Sequence, residues 1–526
     1  MSRFVRTAAG LIICGISLAA AAQCPPRPTA GSVVQDALSL SSQNGVLNAA
    51  LDMGYSVDTF GYTHYCYKYN AGSTVVEAPT LRLNPGDQLV LGVKDSIPVP
   101  GEQSMSGMDM TSPGAQCGDG GTATLQSTNV HFHGLNVPPI CHQDDVLTTL
   151  IQPGAPPFQY SLQIPTTEPP GLYWYHPHVH GFTEFQVNGG AAGALVVEGM
   201  EKYRPEVAGL KERVFVIRQQ YLVPWVPGPY QLTINFQTTP SGVGAPGSPI
   251  IQVNAGEKEF WRVANASLQD FMPLQVTIDA VPQPLELVAI DGYPLAAPRT
   301  EKTILIPPAG RAEFIVPGFS ASQSPQFGTV AYSTGPTGNP DLAQLLAKIQ
   351  VLSNGSAKGT VKSNTTAPAA NPNNLKFAGL KDATVTANRN LYFSEEFGGT
   401  NGPIQFYITV DGQQQRVFSP TEKPAIVTHV GAVEDWTIEN RALETHAFHI
   451  HQIHFMMLEV DGKPVANQDM RDTIEIPYWS GKGPYHSVKV RMDFRDPTIA
   501  GTFVFHCHIL LHEDLGMMHK ILVLPN

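Results

Sequence analysis

Apolar and polar positions alternate along most of the chain in short runs separated by Gly, Pro, Asn and Asp. That period of two predicts half-buried β-strands joined by tight turns, not long helices. One phrase of this kind recurs three times: TLRLNPGDQLVLGV around Gly86, IIQVNAGEKEFWRVAN around Gly256 and AIVTHVGAVEDWTIEN around Gly431. The glycines are 170 and 175 residues apart, as expected of three related β-sandwich units in an all-β chain. Polar, Gly- and Pro-containing stretches set the boundaries. They give a first unit over 23–199, a second over 200–355, a linker over 356–378 and a third over 379–526.

The first 22 residues break this pattern. Arg3 and Arg6 precede an apolar run that ends in Ala20-Ala21-Ala22, the layout of a cleavable export signal, with cleavage expected after Ala22. No later stretch is apolar for long enough to span a bilayer, so the mature chain is expected to be secreted or periplasmic, with no membrane anchor. Loss of Arg3 and Arg6 moves the formal charge from -12 to -14, which argues against nucleic acid as a partner. Charged residues make up only 14% of the 526, while Gly and Pro number 48 and 45, which fits strands and turns further. Nothing in the sequence signals an oligomeric state.

Histidines carry the chemistry. Four HxH pairs occur, His131/His133, His176/His178, His449/His451 and His506/His508, where composition alone gives about half of one pair. In a strand such a pair shares one face, roughly 6–7 Å apart. The pairs sit at matching places in the outer units: GLYWYHPHVHG aligns with GTFVFHCHILL, and NVHFHGL resembles HAFHIHQ. Between His180 and His429 there is no histidine, so the middle unit reads as a spacer that lets the outer units meet. Within FHCHILLHEDLGMM, Cys507 faces away from His506 and His508, and one strand can therefore serve two metal sites. A thiolate, imidazoles from His446 and His512 and the thioether of Met517 form a blue-copper ligand set, and paired imidazoles also suit copper. With Cys507 given to metal, Cys24, Cys66, Cys117 and Cys141 are left for two disulfides of open connectivity once Cys14 departs with the signal.

The motifs HFHG, HPHVHG, HAFHIH and HCHILLHEDLGM resemble the four copper signatures of three-domain multicopper oxidases of the laccase type. The similarity in motif order covers nearly all of the mature chain. It implies three cupredoxin-like Greek-key β-sandwich domains and four copper ions. By this resemblance His446, Cys507, His512 and Met517 hold type 1 copper, and His131 and His449 hold type 2. One type 3 copper falls to His133, His176 and His508, the other to His178, His451 and His506. The implied reaction is one-electron oxidation of phenolic or similar electron-rich small molecules, coupled to reduction of dioxygen to water. Glu513 stands where the family has a proton-delivering acid, and Asp144 or Asp145 is the second candidate; HQDDV lies a little farther from HFHG than the family's aspartate, which leaves the choice between the two open.

Other residues read as ordinary. His180, His454 and His519 are expected to support ligands or the surface, and Met518 to pack in the core, pointing away from the copper. His64, His142, His429 and His486 have no evident partner in the sequence. Met105, Met108 and Met110, in the loop SMSGMDM, are soft enough to bind cuprous ion. They motivate one rival, a cuprous-ion oxidase in copper tolerance. A non-catalytic copper-sequestering protein is the other, and it would not need a cysteine set between ligands on a buried strand.

Overall fold

A computed structural model describes residues 23–57, 63–99, 117–118, 121–221, 230–239, 247–353, 355, 357, 360–361, 371–398 and 404–526. The expected export signal and Met105 to Met110 lie outside the described residues. Among these residues the strands form six sheets, with only two short α-helices, Thr183–Asn188 and Leu510–Asp514. The sheets pair into three sandwiches in chain order, as the repeated phrase predicts. No helix among the described residues is long and apolar enough to cross a membrane.

The phrase itself is a passage between sheets. In the first unit Thr80–Leu83 belongs to one five-stranded sheet and Gln88–Asp95 to the other. Ile250–Asn254 and Glu259–Ala266 repeat this in the middle unit, and Ile426–His429 and Ala432–Asn440 in the third. Gly86, Gly256 and Gly431 sit at these turns with φ of 91°, 77° and 94°, a left-handed conformation that favours glycine. Apolar side chains from both layers close over one core per unit. Phe132 and Tyr160 belong to the first core, Trp261 and Phe314 to the second, Trp436 and Phe448 to the third.

Two sheets position the chemistry. In the first unit His131–His133 pairs antiparallel with Gly171–His176, setting His131 opposite His176. In the third unit His446–Ile450 pairs with Gly501–Cys507, setting His449 opposite His506. Each sheet thus carries two HxH segments together. Thr360 and Val361, from the expected linker, pair with Glu212 and Lys211, and Lys376 near its end is buried with its ammonium donating to Asn136 O at 2.9 Å. Disulfides join Cys24 to Cys66 and Cys117 to Cys141, leaving Cys507 reduced and buried.

Candidate metal centre

On one face of Gly501–Cys507 the Cys507 thiol is fully buried, and burial raises its pKa. Its Sγ lies 3.6 Å from His446 Nδ1 and 3.9 Å from His512 Nδ1. Both imidazoles are held by aromatic faces: His512 stacks on Phe406 at 3.9 Å and His446 on Phe393 at 4.9 Å. Met517 is fully buried in the core that contains Cys507, while Met518 packs with Phe418 and Val504 in a separate cluster, as the alternation predicts. The Met517 carbonyl accepts from Cys507 N, and its N–H donates to His512 O, so the helical turn Leu510–Asp514 returns the chain to the thiol. Two carboxylates stand at the outer edges of the imidazoles, Glu395 3.4 Å from His446 Nε2 and Glu444 3.7 Å from His512 Nε2.

The opposite face of the strand enters a cluster of eight imidazoles, His131, His133, His176, His178, His449, His451, His506 and His508, none more than 2% exposed. Rings from the two outer units stack on each other, His131 on His451 at 3.8 Å and His133 on His449 at 4.0 Å. His506 Nε2 is 3.2 Å from His451 Nε2 and 3.4 Å from His178 Nε2. His178, His451 and His506 form one compact donor set, and His131, His133 and His176 another. His131 and His449 share a third with His451, whereas His508 stands outside these sets, with its ring 5.2 Å from that of His133.

The rings are aimed inward from behind. The Nδ1 nitrogens of His176, His449 and His506 bond to the carbonyls of Pro177, Asp472 and Cys507 at 2.8–2.9 Å, and His131 Nδ1 is 3.0 Å from Asp144. Such contacts fix the tautomer and leave Nε2 as the donor atom. The Nε2 atoms of His131, His176 and His449 and both nitrogens of His508 are buried without a hydrogen-bond partner. Orphaned buried nitrogens are costly unless a cation satisfies them, and no other ligand class suits an all-imidazole lining so well. Burial also holds the rings neutral, bringing His176 down to about 3 and His506 to about 4. A neutral imidazole is the metal-binding form. The residues therefore fit copper on both faces.

The three expected acids part company. Glu513 is fully buried against the histidine cluster, with one oxygen 3.5 Å from His178 Nε2 and the other 3.4 Å from His506 Nδ1. Burial, then the neighbouring Asp514, holds its carboxyl well above the usual range. Asp144 is also sealed in, accepting from Phe132 N and from Gln452 Nε2 as well as facing His131, and burial raises it to about 7. Asp145 turns away and accepts from Leu147 N and Thr148 N in a local turn, so of the two aspartates Asp144 reaches the cluster.

The middle unit is more than a spacer. Its Arg311 is fully buried and donates Nη1 and Nη2 to the two oxygens of Asp472 at 2.7 and 2.6 Å. Asp472 in turn lies 3.4 Å from His133 Nε2 and gives its carbonyl to His449. Arg311 also donates to Leu172 O in the first unit, so one guanidinium ties all three units behind the cluster. Gly134 completes the HFHG motif for a steric reason. Its φ is 86°, and a Cβ there would collide with Arg311 and lie 2.7 Å from an Asp472 oxygen. His454 donates to Asp291 O at 2.7 Å and lies 3.6 Å from Asp472. His519 reaches Glu422, His142 the Gln159 carbonyl, and His486 Asp461.

Sequence reasoning missed Asp472, Arg311, Gln452 and Glu444. Gln452 and Glu444 flank HAFHIH and were findable as polar residues beside ligands. Arg311 and Asp472 are 161 residues apart and carry no local signal.

Two sequence families, each described as multicopper oxidase, match residues 397–526 and 122–202. The multicopper oxidase mco of Staphylococcus haemolyticus is 26% identical over 413 residues, covering 76% of this chain and 77% of that protein. LPR1 homolog 1 of Oryza sativa subsp. japonica, also a multicopper oxidase, is 24% identical over 87% of this chain and 84% of its own. Among solved structures, a multicopper oxidase from Campylobacter jejuni described as a metallo-oxidase superposes with a TM-score of 0.67 at 21% identity, covering 95% and 96% of the two chains. McoA from Aquifex aeolicus gives 0.66 at 16% identity over 94% and 99%. With both motif-bearing regions matched and the buried donor sets in place, the similarities support a laccase-like multicopper oxidase, a copper-dependent oxidoreductase that uses dioxygen.

Proposed function

We propose that the protein is an exported oxidase that takes single electrons from phenolic or similar small electron-rich molecules and delivers them to dioxygen through four copper ions. One observation carries this reading: a single strand presents Cys507 to one buried donor set and His506 to another, with His508, just past the end of the strand, in the same imidazole cluster. His446, Cys507, His512 and Met517 hold type 1 copper, and His131 with His449 type 2. His133, His176 and His508 hold one type 3 ion, and His178, His451 and His506 the other. When bound, copper supplies one-electron acceptance on the Cys507 side and reduction of dioxygen to water on the histidine side.

The chain's own residues do the rest. Cys507 is bonded through the backbone to both neighbouring histidines, which makes the path between the two faces short. Glu513 holds a proton beside His178 and His506, and Asp144 orients His131, so protons are available where oxygen is reduced. The sealed cluster keeps water and partly reduced oxygen from exchanging freely.

A second reading, cuprous-ion oxidation, is favoured by Glu395 and Glu444, whose oxygens flank the outer edges of both type 1 imidazoles and suit a cationic donor; burial and the neighbouring Glu395 raise Glu444 to about 8, so at neutral pH it offers a carboxyl oxygen rather than a full second charge. Oxygen uptake by the copper-loaded protein, measured with phenols, ascorbate, bilirubin and cuprous ion, tests both. Faster turnover of phenols supports the first reading and faster turnover of cuprous ion the second. No uptake with any reductant would sink the oxidase assignment.

A further inference from the structure

The third histidine of HPHVHG takes no part in the cluster. The His180 ring meets Phe418 edge-on at 4.9 Å, and its Nδ1 is shielded from solvent without a hydrogen-bond partner. Both side chains line a cavity of about 560 Å³ at the junction of the first and third units. Its other walls are largely apolar, among them Leu147, Val179 and Val504, and its sulfur-bearing lining residue is Met518. The cavity also touches His178, a member of the cluster, whose backbone is gripped on both sides by the Asn129 amide.

A metal ion bound for that cluster faces a physical problem. The eight imidazoles are at most 2% exposed, so a hydrated cation cannot reach them with its water shell intact. Ligands must be exchanged on the way, and a neutral imidazole with a thioether suits cuprous ion far better than hard cations. His180 and Met518 are donors of that chemistry in a cavity that leads to His178, and neither belongs to the four-copper assignment.

Resting on the reading of the cluster as copper-holding, we infer that His180 and Met518 form a transient docking site through which cuprous ion is loaded into the histidine cluster. The site is a way-station. It binds the ion without oxidation or reduction and passes it inward, while the Cys507 site, on the opposite face of its strand, fills independently.

Stopped-flow loading tests this on full-length protein prepared without copper. Cuprous ion is supplied anaerobically as its acetonitrile complex, samples are reoxidised in air, and filling is followed by the blue band for the Cys507 site and by near-ultraviolet absorption and paramagnetic resonance for the cluster. His180→Leu and Met518→Leu should each slow cluster filling about tenfold, leaving filling of the Cys507 site and final copper content unchanged. Cluster filling at the parent rate in both variants would overturn the inference. So would equal slowing at both sites, or unchanged loading with a raised KM for dioxygen, which would make the cavity a gas passage. A parent protein whose cluster never fills would instead refute the underlying assignment.

Discussion

The two faces of Gly501–Cys507 solve the problem of holding metal in different ways. Every residue of the Cys507 site comes from the third unit, and its outer edge carries Glu395 and Glu444, the latter with its side chain 14% exposed. The histidine cluster needs two units for its ligands and a third for the Arg311 clamp, and it is closed to solvent. A site that takes electrons from outside molecules has to lie near the surface. One that handles dioxygen gains from being sealed, and the fold obtains the seal by placing it where units meet.

That contrast can be broken first at Arg311. Arg311→Met leaves the Asp472 carboxylate buried without its partner, a loss of about 3–5 kcal/mol. Chemical denaturation of the copper-free protein reads this directly. Cluster copper should also be bound more weakly while the blue band stays. Equal loss of both would mean that the two faces are not independent.

Glu513→Gln probes the sealed side alone. Turnover should fall about 100-fold, the ordinary contribution of a positioned acid, with copper content and the anaerobic rate of bleaching of the blue band unchanged. Slower bleaching would move Glu513 out of the oxygen reaction. Asp144→Asn is milder, because the His131 ring still stacks on His451; about a tenfold weaker hold on cluster copper is expected in a chelator competition. At the open side, burial and the neighbouring Glu395 raise Glu444 to about 8, so Glu395→Gln is the change expected to raise KM for cationic donors by a few-fold while leaving neutral phenols unaffected.

The same contrast explains what could be read from the sequence. Ligands lie in short motifs whose strand period decides which way each side chain points, so the facing of Cys507 against His506 and His508, and of Met517 against Met518, followed from alternation. The three sandwiches followed from the Gly-centred phrase, although it proved to be a passage between sheets. Asp144 could not be separated from Asp145, because the choice depends on a turn in which Asp145 caps Leu147 and Thr148. The Arg311–Asp472 clamp was invisible for a deeper reason. It exists only once the middle unit docks, and a chain segment without histidines gives no hint that it holds the histidines in place.

The central claim is that one strand separates two copper sites, and Cys507→Ser tests it most directly, by copper content together with visible absorption and paramagnetic resonance. The account predicts a protein that loses the blue band and turnover but keeps the copper bound by the imidazole cluster. Loss of all copper, or a blue band that survives the substitution, would contradict it.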